Sequence, residues 1–313
     1  MMGSVQPILT DFEMIWTLKT PCTGQPDDLS PSIKSAPTLP APQQVPRLKF
    51  RLFPMLLALA AVLAASLIVL PILGLVGRAI QAQAFGALLA PATFSALRLS
   101  AVTTLISQAI ILLVGTPFAY LLALGRFPLR GLLNTLVELP IVLPPAVAGL
   151  ALLVTFGRRG WLGGGLALWG IQLPFTLAAV VVAQVFVAMP FYIRAAVTGF
   201  RAVPITLIEA AQVDGAVGWP LWWRIMLPLA YRNLIAGALL SWARSLGEFG
   251  ATLLFAGSLQ GRTQTLPLYI YNVLERDINA AMAVGVLLAG VALLTLSVSR
   301  WLFSPAERHL AES

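Results

Sequence analysis

The sequence predicts an all-α membrane protein with six transmembrane helices. Two observations predict it: 58% of the 313 residues are hydrophobic and only 10% are charged, and the apolar residues gather into six stretches of bilayer-spanning length. So few charged side chains cannot cover the surface of a soluble domain. Because none of the stretches alternates apolar and polar residues with a period of two, each is predicted to be a helix.

The six predicted spans define a transmembrane domain over residues 51–303. Their residues are 52–76, about 99–124, about 136–156, about 177–200, 234–255 and 280–303. A further apolar piece, 162–171, is rich in glycine and too short to cross a bilayer, so it is placed in a loop.

The two ends of the chain are predicted to be tails. Residues 1–50 are interpreted as a Pro-rich, disordered tail, because eight prolines lie among the first 46 residues. Asp11 and Glu13, together with the lack of a long apolar core, argue against a secretory signal peptide. Residues 304–313 form a short C-terminal tail.

The positive charges have the distribution of a membrane protein rather than of a nucleic-acid-binding protein. The formal net charge is +8, but all three lysines lie in the first fifty residues, and the arginines stand singly or in pairs at the ends of spans. With the N-terminus inside, ten Lys and Arg residues lie on the inner side and six on the outer side. Both termini and the polar segment 201–233 are therefore predicted to be cytoplasmic.

The third and fifth spans carry the features that are costly in a membrane. Pro144 and Pro145 remove two backbone donors, so the third span must kink or start irregularly, either as a pore-lining segment or as a kink buried in protein. Arg244 and Glu248 lie four residues apart and can neutralise each other, either as a pair that packs helices or as part of a gate. Candidate residues of a path or gate are Pro144, Pro145, Arg244, Gly247, Glu248, Phe249, Gly250 and Thr252.

No catalytic or metal-binding residues are predicted. The chain has one cysteine and one histidine, Cys22 and His309, and no lysine follows a glycine-rich phosphate-binding pattern. No metal, no cofactor and no catalytic group is therefore expected, and any ATP hydrolysis must occur in another chain.

The most informative polar stretch is EAAQVDGAVGWPLWWRIMLP, residues 209–228. Pro204 suits the start of a short helix, and Gly215 suits the left-handed turn that ends one. Trp219 and Pro220 open a second piece, with tryptophans that suit a membrane interface. The spacing EAA-x3-G-x9-I-x-LP resembles the cytoplasmic coupling loop of ABC importer permeases, and every fixed position matches.

This resemblance implies the fold of a type I ABC importer permease. In that family the loop is a helix that fits a groove of a separate ATPase subunit. The residues that carry the match, with one acidic neighbour, are Glu209, Ala210, Ala211, Asp214, Gly215, Ile225, Leu227 and Pro228.

Three further stretches resemble one branch of these permeases, the molybdate permease subunit. They are FPLRGLLNTLVELPIVLPPAVAGLALLVTFGRRGWLG from Phe127, ARSLGEFGATLLFAG from Ala243 and GRTQTLPLYIY from Gly261. The resemblance implies a multi-pass protein of the bacterial inner membrane. It also implies a homodimer that binds two cytoplasmic ATPase subunits, receives an oxyanion from an extracytoplasmic binding protein and contacts membrane lipid but not nucleic acid.

Other functions remain open at this point. A sulfate, thiosulfate or tungstate ABC permease is close to the molybdate interpretation. An ion-coupled secondary transporter is disfavoured because Glu248 is the one deep carboxylate and the halves show no matching interruption. A membrane-embedded enzyme is disfavoured because paired carboxylates, a Ser–Lys pair and a His cluster are missing from the spans.

Overall fold

The computed structural model describes the backbone of residues 49–125 and 127–308, where it contains helices and no strand. The first 48 residues, which hold most of the predicted tail, lie outside the described part. The described residues divide between Ala60 and Ala61 into two units, and the second is described below. The helices are α1 (Lys49–Gln81), α2 (Pro91–Leu124), α3 (Arg130–Val142), α4 (Pro145–Phe156), α5 (Gly163–Leu168), α6 (Leu177–Arg201), α7 (Ile205–Val213), α8 (Trp219–Leu221), α9 (Leu227–Leu246), α10 (Gly250–Ala256), α11 (Leu266–Leu274) and α12 (Ile278–Arg308).

The described residues include five helical segments that are long and apolar enough to cross a membrane, and α3 with α4 makes a sixth crossing if this bent pair is one span. The five are Phe53–Gln81, Pro91–Leu124, Leu177–Arg201, Trp219–Leu246 and Ile278–Thr295. The predicted all-α membrane fold is confirmed. Helix α12 continues to Arg308, beyond the predicted end of the sixth span at 303, and the predicted loop 162–171 contains the short helix α5.

Helix α6 lies at the centre of the second unit. It packs against α2 and α9, and against α4 and α10. Small residues allow a close approach: a Cβ on Gly237 of α9 would stand 2.7 Å from Cβ of Ala195 of α6. One end of this bundle carries α7 with the last turns of α2 and α6 and the first turns of α3 and α9, and we call it the α7 end. The other end, which carries α5 and α11, is called the α11 end.

Two proline effects shape the spans. Leu143 and Pro144 each precede a proline and have ψ values of 132° and 137°, outside the helical region, so the chain bends by 116° between α3 and α4. Pro228 has no N–H to donate one turn back, and the helix widens into a π-helical turn at Trp222–Met226 just before it. The predicted irregularity at Pro144 and Pro145 is therefore a full break between two helices.

Candidate functional site

The first candidate site is the segment between α6 and α9, centred on α7. Pro204, with ψ of 131°, precedes the helix, and Gly215 follows it with φ of 85°. Gly215 N donates to Gln212 O at 3.1 Å, and Ala216 N donates to Ala211 O at 2.8 Å. Glycine adopts this left-handed conformation without a steric cost, so it closes the helix as the sequence predicts.

Helix α7 presents a mixed acidic and apolar surface away from the bundle. Glu209, Ala210 and Asp214 are exposed, whereas Ile208 is buried in the apolar cluster at the α7 end. Large apolar side chains that are exposed around α7 are Ile205, Leu207, Val213 and Val217. An apolar patch outside the spanning helices, mixed with carboxylates, has the composition of a protein-docking surface.

The second half of the motif has a different place in the structure. Ile225 and Leu227 are partly buried against the apolar cluster at the α7 end, and Pro228 is exposed beside the π-helical turn. Ala211 of α7 packs against the same cluster. The seven motif residues and the neighbouring Asp214 therefore divide into an exposed group on and after α7 and a group that fixes α7 and α9 to the bundle.

The second candidate site is the interruption between α9 and α10. The sequence predicts one helix over 234–255, but the structure corrects this: α9 ends at Leu246, and residues 247–249 are not helical. Glu248 N donates to Ser245 O at 3.2 Å, and Glu248 Oε1 accepts from Ala251 N at 2.9 Å. The carboxylate thus supplies an acceptor to the first turn of α10, which a carboxylate does well at a helix N-terminus.

The Arg244–Glu248 pair exists, but not on one continuous helix. Arg244 Nη1 lies 2.8 Å from Glu248 Oε2, and the Glu248 side chain is 1% exposed against 29% for Arg244. No group in the described residues donates a well-directed hydrogen bond to this Oε2, so the contact is an ion pair. Thr252 Oγ1, one turn along α10, is also buried with no hydrogen-bond partner among the described residues.

Helix α4 lies directly against α10, so the two interruptions form one region. A Cβ on Gly250 would stand 2.6 Å from Cβ of Pro145, and a Cβ on Gly149 would stand 2.9 Å from Ala251 O. These distances leave no room for a side chain. Pro145, Gly250 and Glu248, predicted separately as path or gate residues, are thereby brought together.

We expect Gly149→Val to lower the thermal stability of the purified protein and its transport rate together. The added side chain would push α4 away from Ala251, an overpacking effect that costs about 1–3 kcal/mol. Thermal unfolding in detergent measures the stability. Gly164→Val is the control, since nothing lies within 4 Å of a Cβ at Gly164; equal losses in both variants would contradict the packing account.

Two polar features were missed from the sequence. Ser107 of α2 donates to Gln184 Oε1 of α6 at 2.9 Å, and Gln184 Nε2 donates to Thr103 Oγ1 at 3.2 Å, all three being buried. Glu138 of α3 and Arg194 of α6 approach to 3.6 Å near the α7 end. The partners in these contacts are 56 to more than 70 residues apart along the chain, so the sequence does not show that they meet. Gln184 is a polar residue within an apolar span, and it could have indicated a buried hydrogen bond.

The GRTQT stretch forms a closed turn at the α11 end. Thr263 Oγ1 accepts from Leu259 N at 3.0 Å and donates to Gly257 O at 3.2 Å. Leu266 N donates to Ser100 Oγ of α2 at 2.7 Å. These contacts attach the turn and α11 to α2, so this stretch has a structural use that the sequence did not reveal.

Metal binding finds no support in the described part of the chain. Within residues 49–125 and 127–308, no group of three or more His, Cys, Asp or Glu side chains could hold a metal ion.

Comparison with known proteins places this geometry in context. Residues 115–308, which include both interruptions and the α7 segment, match the family described as "Binding-protein-dependent transport system inner membrane component". The transport system permease protein NifC of Clostridium pasteurianum is 44% identical over 61% of this chain and 67% of its own length. The molybdenum transport system permease protein ModB of Mycobacterium tuberculosis is 44% identical over 66% of this chain and 78% of its own.

More distant relatives extend the comparison. The sulfate transport system permease protein CysW of a Synechocystis species is 35% identical over 69% of this chain and 79% of its own length. A bacterial ABC transporter that imports alginate contains a chain with a TM-score of 0.63 at 20% identity, over 82% of this chain and 96% of that one. At this identity the structural likeness shows a common fold.

Proposed function

Because the chain belongs to the family of binding-protein-dependent transport system inner membrane components, as an ABC importer permease of the molybdate/sulfate type, we propose that it carries molybdate and couples to a separate ATPase through α7. The permease subunit is not itself an enzyme. ATP hydrolysis is assigned to the partner chain. The protein lies in the bacterial inner membrane.

The observation that carries the coupling role is the exposed surface of α7. Its acidic and apolar side chains, among them Glu209 and Val213, project from the α7 end while Ile208 holds the helix to the bundle. A short helix fixed by one buried face transmits a displacement to the elements it packs against. We assign α7 and both termini to the cytoplasmic side, as the distribution of arginines predicts.

The anion path is assigned to the region where α4 meets α10. Pro144, Pro145 and the residues 247–250 lie at helix breaks, and non-helical backbone at membrane depth is tolerated where protein buries it or a water-filled cavity solvates it. Glu248 is neutralised by Arg244, so it does not present a net negative charge to an oxyanion. We propose that a second copy of the chain completes the path, and that two ATPase subunits and an extracytoplasmic binding protein complete the transporter.

Molybdate is favoured over sulfate by the relatives. Permeases named for molybdenum transport are 38–44% identical to this chain, whereas two permeases named for sulfate transport are 35% and 36% identical. Sulfate is the second candidate on the strength of that relative, and tungstate resembles molybdate in size and charge. The permease needs a weakly attractive polar route rather than a tight site, because selectivity is assigned to the binding protein.

The substrate is tested by uptake after deletion of the gene. We expect cells without this permease to lose high-affinity molybdate uptake and to keep sulfate uptake, measured with labelled anions at low concentration. Complementation with the wild-type chain is the control. If the cells lose sulfate uptake and keep molybdate uptake, the substrate is sulfate and not molybdate. If vesicles that contain this chain alone accumulate the anion against its gradient, transport does not depend on an ATPase and the coupling proposal is contradicted.

A further inference from the structure

One arginine binds the N-terminus of α3 to the C-terminus of α2. Arg130 Nε donates to Leu122 O at 2.9 Å, and Arg130 Nη2 donates to Ala123 O at 2.8 Å. Leu122 and Ala123 are 1% and 5% exposed. The last carbonyls of a helix lack partners within it, and the planar guanidinium satisfies two of them in a forked geometry that lysine cannot reproduce.

Arg130 occupies a position that does not favour α3 itself. It is the first residue of α3, where the helix dipole disfavours a positive charge, and the first turn of α3 contains no acidic residue to offset it. At the C-terminus of α2 the same charge is favourable. The contacts across the two helices therefore account for an arginine at this place.

A second arginine reaches the same carbonyl. Arg201 Nη2 donates to Leu122 O at 3.4 Å. Arg201 is the last residue of α6, four positions before α7 begins at Ile205. The Leu122 carbonyl thus joins the base of the α7 segment to the first residue of α3.

The far end of α3 leads to the proposed path. After Val142 the chain breaks at Pro144, and α4 then packs on α10, where Gly250 leaves space for Pro145. Glu248 caps the first turn of α10. Helix α3, which contains Pro140, therefore connects the carbonyl shared by the two arginines to the break before α4.

We propose that Arg130 is a positioning residue for coupling, which transmits movement at the base of α7 to α3 and so to the break at Pro144. The inference rests on the proposed function, because it takes α7 as the helix that docks on the ATPase. Hydrogen bonds between rigid elements carry such coupling. Arg130 holds α3 to α2, to which Arg201 of α6 also donates, and it does not contact the anion.

The test measures ATP hydrolysed per anion imported by the reconstituted complex of permease, ATPase and binding protein. We expect Arg130→Ala to keep ATP hydrolysis within about twofold of wild type and to lower uptake about tenfold, the size of effect expected when hydrogen bonds to a charged group are lost. Arg130→Lys is expected to recover part of the uptake, because an ammonium can still reach one carbonyl. Arg276→Ala, at an exposed arginine of the α11 end, removes the same charge and is the matched control.

A double-mutant cycle with Arg201 tests the shared carbonyl. If both arginines act through Leu122 O, the effects of Arg130→Ala and Arg201→Ala on the ratio of uptake to hydrolysis will not be additive. An unchanged ratio in Arg130→Ala, or strictly additive effects, would overturn the positioning role. Co-purification of the ATPase tests the docking of α7 separately. If the ATPase no longer co-purifies with Arg130→Ala, the positioning role of Arg130 is refuted, but the proposal that α7 docks on the ATPase is not.

Discussion

Glu209→Lys is expected to leave the permease in the membrane and to abolish uptake. Glu209 is exposed on α7 and takes part in no ion pair with another described residue, so reversing its charge changes the proposed docking surface and not the packing of the bundle. A central docking residue contributes about 2 kcal/mol or more, and a reversed charge adds repulsion to that loss. We expect uptake to fall by about two orders of magnitude or more.

The measurement pairs uptake with co-purification of the ATPase. Glu275→Lys reverses an exposed carboxylate at the α11 end and is the matched control. Normal uptake in Glu209→Lys, with the ATPase still bound, would remove the coupling role from α7.

Gly215 offers an independent test of the same surface. Nothing lies within 4 Å of a Cβ at this position, so Gly215→Val creates no clash, but its φ of 85° is unfavourable for a β-branched residue. We expect Gly215→Val to distort the end of α7 and to lower uptake, whereas Gly215→Asn, which tolerates the left-handed region, should retain most of it. Wild-type uptake in both variants would show that transport does not need the left-handed geometry of this turn.

The features that the sequence predicts correctly are those with a local cause. Pro144 and Pro145 break their helix through the geometry of two adjacent residues, and Gly215 ends α7 because its own backbone must adopt a positive φ. Hydropathy predicts the long spans because the bilayer requires continuous apolar helices. These properties follow from short stretches of the chain.

The features that the sequence does not predict depend on distant partners. The spacing of Arg244 and Glu248 suits one helix, so nothing local indicates that α9 ends at Leu246 and that Glu248 caps a new helix. The contact of Ser107 with Gln184, and that of Arg130 with the carbonyl of Leu122, require the packing of α2 against α6 and α3. The roles of these residues can be stated only once the helices are placed.

Removal of one partner of the Arg244–Glu248 pair is expected to have the second large effect. The Glu248 side chain is 1% exposed, so Arg244→Ala leaves a carboxylate buried without its counter-ion. Breaking a buried pair in this way costs about 3–5 kcal/mol in soluble proteins. We expect Arg244→Ala to reduce both the amount of folded protein in the membrane and its uptake.

The two partners are not equivalent, and this asymmetry makes the prediction specific. In Glu248→Ala the remaining Arg244, 29% exposed in the pair, is less completely enclosed by protein than Glu248, although α10 loses the acceptor for Ala251 N. We therefore expect Arg244→Ala to be the more damaging single change. The double variant should be less damaging than Arg244→Ala, because it leaves no buried charge. The thermal unfolding temperature and the uptake rate are measured for the two single variants and the double variant. If the losses in the two single variants add up to the loss in the double variant, the ion pair contributes nothing beyond its separate side chains.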